Sequence, residues 1–180
     1  MKQIVFLGIK HCGKTTQGKL LAEALKVPFA DTDVLLTEHY RKLFGAEHSV
    51  REIMAVRGAE FFRRLEAEVV RKERFRSDRV LALGGGVPVN DFLTADDLRE
   101  LGFLIYLEVD PEVAFARIAQ GGLPPFLAGD DPHGKFLKQY RERTVRYEAL
   151  ADWQLAVRGA PTPEKVHQLI MAEIKERMNL

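Results

Sequence analysis

Apolar positions along the chain follow two rhythms. Compact, mostly apolar runs at Gln3–Leu7, Arg79–Leu83, Leu101–Leu107 and Trp153–Val157 have the length of strands. The nearly unbroken apolar character of Leu101–Leu107 suits a strand buried on both faces. A shorter apolar segment, Val27–Ala30, leads into Asp31-Thr32-Asp33. Between these runs the pattern turns helical. One helix is expected from about Lys14 to Lys26. Ser49-Val50-Arg51-Glu52 reads as a capping box, with Glu52 three residues past the cap. It opens a helical stretch to about Arg76, broken near Gly58, whose positions Phe62, Leu65 and Val69 share one face. Asp110-Pro111 starts another helix by cap and first-turn proline. A basic helix runs to about Leu150, and Thr162-Pro163-Glu164 opens the last one. Residues 120–134 hold three prolines and four glycines and read as a loop. This alternation predicts an α/β fold: a parallel sheet covered by helices.

Composition narrows the picture. A chain of 180 residues, 46% hydrophobic and 29% charged, is expected to be one globular domain, 1–180. Its 27 basic and 26 acidic residues leave a net charge of +1, which argues against a nucleic-acid binder working by bulk attraction to phosphate. One cysteine, Cys12, permits no internal disulfide and no cysteine-based metal site. No apolar run approaches the roughly 18 residues of a membrane helix, and the apolar N-terminus is too short for a signal peptide. The expectation is a soluble, cytoplasmic protein with no membrane or nucleic-acid partner.

The candidate chemistry begins where the first strand ends. Gly8-Ile9-Lys10-His11-Cys12-Gly13-Lys14-Thr15 fits G-x-x-x-x-G-K-[ST], between a predicted strand and a predicted helix. Backbone N–H groups of such a loop face anionic phosphates. Lys14 would reach the outer phosphates of ATP, and Thr15 would offer its hydroxyl to Mg²⁺, with Thr16 beside it. Lys10 and His11 are bulky for such a loop; Cys12 reads as a small filler. Asp31 and Asp33, two apart at the end of a strand, would share one side of an extended chain at the edge where open α/β sheets bind ligands. One could orient Mg²⁺ and the other accept a proton from a substrate hydroxyl; the alternative is a helix cap. Arg63 and Glu66 lie three apart on a helix, and Glu60 and Arg64 four apart; both can be read as surface ion pairs. Gly84-Gly85-Gly86 after a strand implies a close backbone approach, by a ligand or in a tight turn.

Taken in order, these residues resemble the shikimate kinase family of the nucleoside-monophosphate-kinase-like P-loop group. The resemblance rests on Gly8–Thr15, Asp31-Thr32-Asp33, Phe62-Arg63-Arg64-Leu65-Glu66, the stretch from Val80 to Gly86, Leu127-Ala128-Gly129 and Arg143-x-x-x-Tyr147. It implies a three-layer, five-stranded parallel sheet, a monomer, substrate-binding helices over about 32–76 and a lid over about 120–134. The implied reaction is transfer of the ATP γ-phosphoryl group to a ring hydroxyl of shikimate. Asp33 then matches the acid that holds the reacting hydroxyl, and Arg63 and Arg143 the clamp on the substrate carboxylate. Glu66 matches the acid that positions Arg63, Gly85 the glycine whose N–H meets a substrate hydroxyl, and Arg117 a basic residue near adenine. Two positions depart from the family pattern. His11 stands for a loop glycine, and Pro124 for the arginine that precedes the lid's Pro-Leu-Leu-Ala-Gly. No lysine or arginine occurs from Ile118 to Gly134, so Lys10 becomes a candidate for the missing catalytic cation. The clamp would serve a gluconate-like acid equally well. A non-catalytic nucleotide-binding regulator would have no use for it.

Overall fold

A computed structural model describes residues 1–124, 127–159 and 161–178. The five strands are β1 (Ile4–Leu7), β2 (Phe29–Asp31), β3 (Val80–Ala82), β4 (Phe103–Val109) and β5 (Trp153–Val157). They form one all-parallel sheet in the order β2-β3-β1-β4-β5. Parallel pairing requires crossovers, and helices supply them: α1 (Lys14–Leu25), α2 (Thr32–Phe44), α3 (Val50–Arg57), α4 (Ala59–Lys72), α5 (Ala95–Arg99), α6 (Pro111–Gln120), α7 (Pro132–Leu150) and α8 (Pro163–Met178). All four residues of β1 are buried, so both faces of the sheet are covered, as its unbroken apolar run requires.

Differences from the sequence reading have local causes. β4 begins at Phe103 and not Leu101, because Gly102 takes φ +148° against the Gln3 backbone and the Phe103 N–H then donates to the Gln3 carbonyl at 2.8 Å. It runs two residues past Leu107 because β5 pairs with it as far as Val109. The loop expected over 120–134 is shorter. α6 extends to Gln120, and α7 starts at Pro132, capped by Asp131, which accepts from the Gly134 N–H at 2.8 Å. The proline and glycines counted as loop there are a helix opening. The stretch to Arg76 ends at Lys72, where Phe75 and Asp78 turn the chain with left-handed backbone. The expected break at Gly58 is present: φ +84° ends α3 and opens α4. The capping box of Ser49 and Glu52 also forms. The 3₁₀ turn at Val87–Val89 and the short α5 carried no periodic signal.

Two apolar cores result. The larger wraps the sheet. The smaller joins α2, α3 and α4 through Leu36, Tyr40, Ile53, Phe62, Leu65 and Val69. Each such side chain contributes roughly 1.5–3 kcal/mol on burial. These three helices therefore hold together as a unit beside the sheet. Their N-termini and the loops after β1, β2 and β3 meet at the carboxyl edge of the strands, the usual ligand edge of open α/β sheets.

Candidate active site

The loop after β1 is closed on itself. Lys14, the first residue of α1 and buried, donates from Nζ to the carbonyls of Gly8 and Ile9, both at 2.9 Å, and lies 3.7 Å from Cys12 Sγ. Gly8 has no room for a side chain: a β-carbon there would lie 2.8 Å from both Cys12 Sγ and the Leu107 carbonyl oxygen. Cys12 is thus the buried filler its size suggested. Gly13, at φ +104°, occupies the cap position of α1. His11 adopts φ +62°, a backbone that favours the glycine it stands in for. The carbonyl of His11 accepts from Arg117 Nη1 at 3.3 Å, which brings α6 to the loop. Thr16 lies exposed on α1, and Lys10 is exposed on the loop.

Asp31 and Asp33 do not share an extended segment as expected. Asp31 ends β2, whereas Asp33 lies in the first turn of α2. Both readings of Asp31 hold. It caps α2 by accepting from the Asp33 N–H at 3.0 Å, and its other carboxylate oxygen accepts from the Thr15 hydroxyl at 2.9 Å. Asp33 is left free of the cap. Its carboxyl is held above the usual carboxylate range, first by burial and then by the Asp31 and Glu66 carboxylates, against the pull of Lys14 and Lys10.

The two ion pairs of α4 separate. Arg64 and Glu60 form a surface pair, with side chains 62% and 72% exposed. Arg63 and Glu66 do not: the contact is 2.7 Å, and Glu66 is only 5% exposed. The buried Glu66 carboxylate is completed by Asn90 Nδ2 at 2.8 Å, which also donates to the Arg63 carbonyl at 2.8 Å. Arg63 Nη1 donates further to the Gly86 carbonyl at 3.2 Å. Arg143, from α7, is buried in the same region. Its guanidinium is pushed below its ordinary range by burial, with Arg63 adding to the push and Tyr147 and Glu66 opposing it. Two guanidiniums thus act on one another with Glu66 as their nearby carboxylate. A low-dielectric site with surplus positive charge favours a bound anion.

Gly84-Gly85-Gly86 holds these groups in place, in a way the sequence reading did not anticipate. None of the three uses left-handed backbone, so a turn is not the reason for them. A β-carbon on Gly84 would lie 2.5 Å from Asp33 Oδ1, and one on Gly86 would lie 2.5 Å from Arg63 Nη1. At Gly85 it would lie 3.3 Å from the Lys10 backbone nitrogen and 3.7 Å from Arg143 Nη1. The protein's own site residues, not only a ligand, make the close approach. Thr32 Oγ1 accepts from the Gly84 N–H at 2.7 Å, and the Tyr147 hydroxyl donates to the Gly85 carbonyl at 2.7 Å.

Sequence reasoning missed Asn90 and Thr32. Their partners lie far away in the chain, and no spacing rule reaches them. It also missed Arg51, in the first turn of α3, whose charge acts on Lys10 and His11.

A glycine-bearing loop of this kind, opening a helix at the carboxyl edge of a parallel sheet, is the frame of P-loop phosphotransferases. The family model for shikimate kinase matches residues 10–178. A shikimate kinase of Symbiobacterium thermophilum is 36% identical over 177 residues, covering 97% of this chain and 95% of that protein. One of Caldanaerobacter subterraneus is 37% identical over 175 residues, covering 97% and 98%. The solved structure of an Acinetobacter baumannii shikimate kinase in complex with shikimate superposes with a TM-score of 0.84 at 25% identity, covering 98% of this chain and 94% of that one. The chain belongs to the shikimate kinase family.

Proposed function

We propose that the protein transfers the γ-phosphoryl group of ATP to the 3-hydroxyl of shikimate. The observation that carries this reading is the buried pair Arg63 and Arg143. Their surplus charge is suited to a substrate carboxylate, and they stand beside an acid whose affinity for a proton is raised. Arg63 is held by Glu66, itself held by Asn90, so its fork is aimed before substrate arrives. The hydroxyl oxygen attacks the γ-phosphorus, its proton passes to Asp33, and the bond from phosphorus to the bridging oxygen breaks to release ADP. Gly85 offers its N–H to a second substrate hydroxyl, between Gly84 and Gly86, which leave room for Asp33 and Arg63.

On the nucleotide side, the N–H groups from Gly8 to Thr16, His11, Cys12 and Gly13 included, cradle the phosphates. Lys14 exchanges its two loop carbonyls for phosphate oxygens, and Arg117 lies toward the adenine. Thr15 and Asp31, already hydrogen-bonded to each other, offer an all-oxygen donor set that fits Mg²⁺. That ion, when bound, supplies charge neutralisation on the phosphates. Lys10 adds positive charge on the γ-phosphate side, where the lid has none. Both halves of the site come from one chain, which supports a monomer, and the use of ATP supports a cytoplasmic enzyme.

A coupled ADP-release assay with shikimate and a panel of sugar acids tests the reading. Turnover is expected with shikimate and strongly reduced with gluconate-like acids. Equal or better turnover of a sugar acid would transfer the clamp to another substrate. ADP release from no acid at all would leave a nucleotide-binding protein.

A further inference from the structure

The lid leaves a charge unprovided. The segment from Ile118 to Gly134 has no lysine or arginine, and the ring of His133 is held by Glu112 at 3.0 Å. A cation for the transferred group has to come from another element, and α3 carries one. Its two arginines differ. Arg57 is committed: Nε donates to the Tyr40 hydroxyl at 3.1 Å, and its guanidinium lies 4.5 Å from the centre of the Phe44 ring. Arg51 is exposed, with no such contact among the described residues. The acids nearest to it in sequence are occupied. Glu52 accepts from the Ser49 N–H at 2.7 Å, and Glu47 pairs with Arg41 at 3.3 Å.

Arg51 faces the phosphate loop instead. Of the charges acting on the Lys10 ammonium it is the strongest, ahead of Asp33 and Lys14, and it also acts on His11. Charge interactions weaken with separation, so Arg51 stands across the mouth of the loop from Lys10. Two cations placed this way repel until an anion comes between them. The acid that acts on this pair is Asp33, the base of the proposed reaction.

We infer that Arg51, with Lys10, receives the γ-phosphoryl group of ATP and takes the place of the arginine that the lid lacks. This rests on the phosphotransfer reading of the cleft. No bond forms to Arg51 and no proton leaves it. Its planar fork donates to two of the γ-phosphoryl oxygens as the bond to ADP lengthens. The cation comes from the acceptor side, because α3 is packed with α2 and α4, the helices that carry Asp33 and Arg63.

Arg51→Gln and Arg51→Lys test the inference, each checked for an unchanged melting temperature. The first readout needs no acceptor. Calorimetry compares binding of ADP with that of an imido-bridged, non-hydrolysable ATP analogue, both with Mg²⁺. Arg51→Gln should weaken the triphosphate analogue about tenfold or more, the equivalent of one charge-assisted hydrogen bond. It should leave ADP within about twofold, and Arg51→Lys should recover part of the loss. An unchanged preference for triphosphate over diphosphate overturns the inference, whatever the acceptor is. The second readout is turnover with shikimate. A fall in kcat on the order of 10²–10³ is expected, with little change in the shikimate KM and partial recovery on adding Pro124→Arg. Turnover equal to the parent overturns the inference. If the nucleotide preference shifts as expected but the parent does not phosphorylate shikimate, the acceptor reading fails and the role of Arg51 on the γ-phosphoryl group stands.

Discussion

Arg63 and Lys10 face the same cleft from opposite sides, and the fold treats them differently. Arg63 sits on a packed helix, bonded to Glu66 and to the Gly86 carbonyl, with Asn90 locking the acid behind it. Lys10 projects from a loop, and the charge that acts most strongly on it is another cation. On the acceptor side the clamp is built before any ligand binds. On the nucleotide side the corresponding groups are present but hold one another off, or, like Lys14, occupy loop carbonyls. A rigid clamp costs little to organise when a small acid binds. A mobile, highly charged donor is matched by cations that settle only when its phosphates arrive.

The sharpest way to break this contrast is to remove the group that links the two sides. Asp33→Asn should keep ADP affinity and the fold, and lower kcat by roughly 10²–10⁴. The pH profile reads the same group. Asp33 acts as its carboxylate, and burial raises its pKa. The rate should therefore fall as pH drops through a value above the ordinary carboxylate range, and Asp33→Asn should abolish that limb.

Next in size is Arg63→Ala. It strands Glu66 and removes half of the clamp, so shikimate binding measured by calorimetry should weaken by about 2–5 kcal/mol while ATP binding is unchanged. Survival of acceptor binding would show that the organised side is not the acceptor side. Lys10→Ala probes the other side. Loss of one charge-assisted contact predicts a fall in kcat of about 10–100-fold, with a smaller change in ATP affinity. Turnover like that of the parent would leave Lys10 a solvent-facing loop residue. The smallest effect belongs to the surface pair of α4. Glu60→Ala should change stability by only about 0.2–0.5 kcal/mol in a denaturant titration, and should not change kcat.

That last comparison also marks how far the sequence could be read. Arg63–Glu66 and Arg64–Glu60 look alike on paper: opposite charges within one turn of the same helix. They part only because Leu65 and Val69 turn one side of α4 inward and Asn90, 24 residues beyond Glu66, closes over it. The phosphate loop was legible because its whole chemistry lies within eight consecutive residues and its flanking strand and helix are strongly patterned. Asp33 was legible by position but misplaced in structure, since the change from strand to helix occurs at Asp31 itself. The triple glycine was visible as an anomaly. Its cause lay in Asp33, Arg63 and Arg143, side chains from three other segments. Arg51 carried no signal, because a first-turn arginine in a capping box reads as a solvent contact until α3 is placed opposite Lys10.

The crowding at Gly84 and Gly86 bears on how this site tolerates mutation. Any other amino acid brings a β-carbon, and at both positions that atom would meet the movable end of a side chain, Asp33 or Arg63, not the backbone. The sheet can accept the newcomer by letting that side chain swing away. Selection for folding or expression would therefore pass such variants, while selection for growth on the product would reject them. In a library screened for solubility alone these codons would look neutral; screened for activity, they would be among the least permissive in the gene.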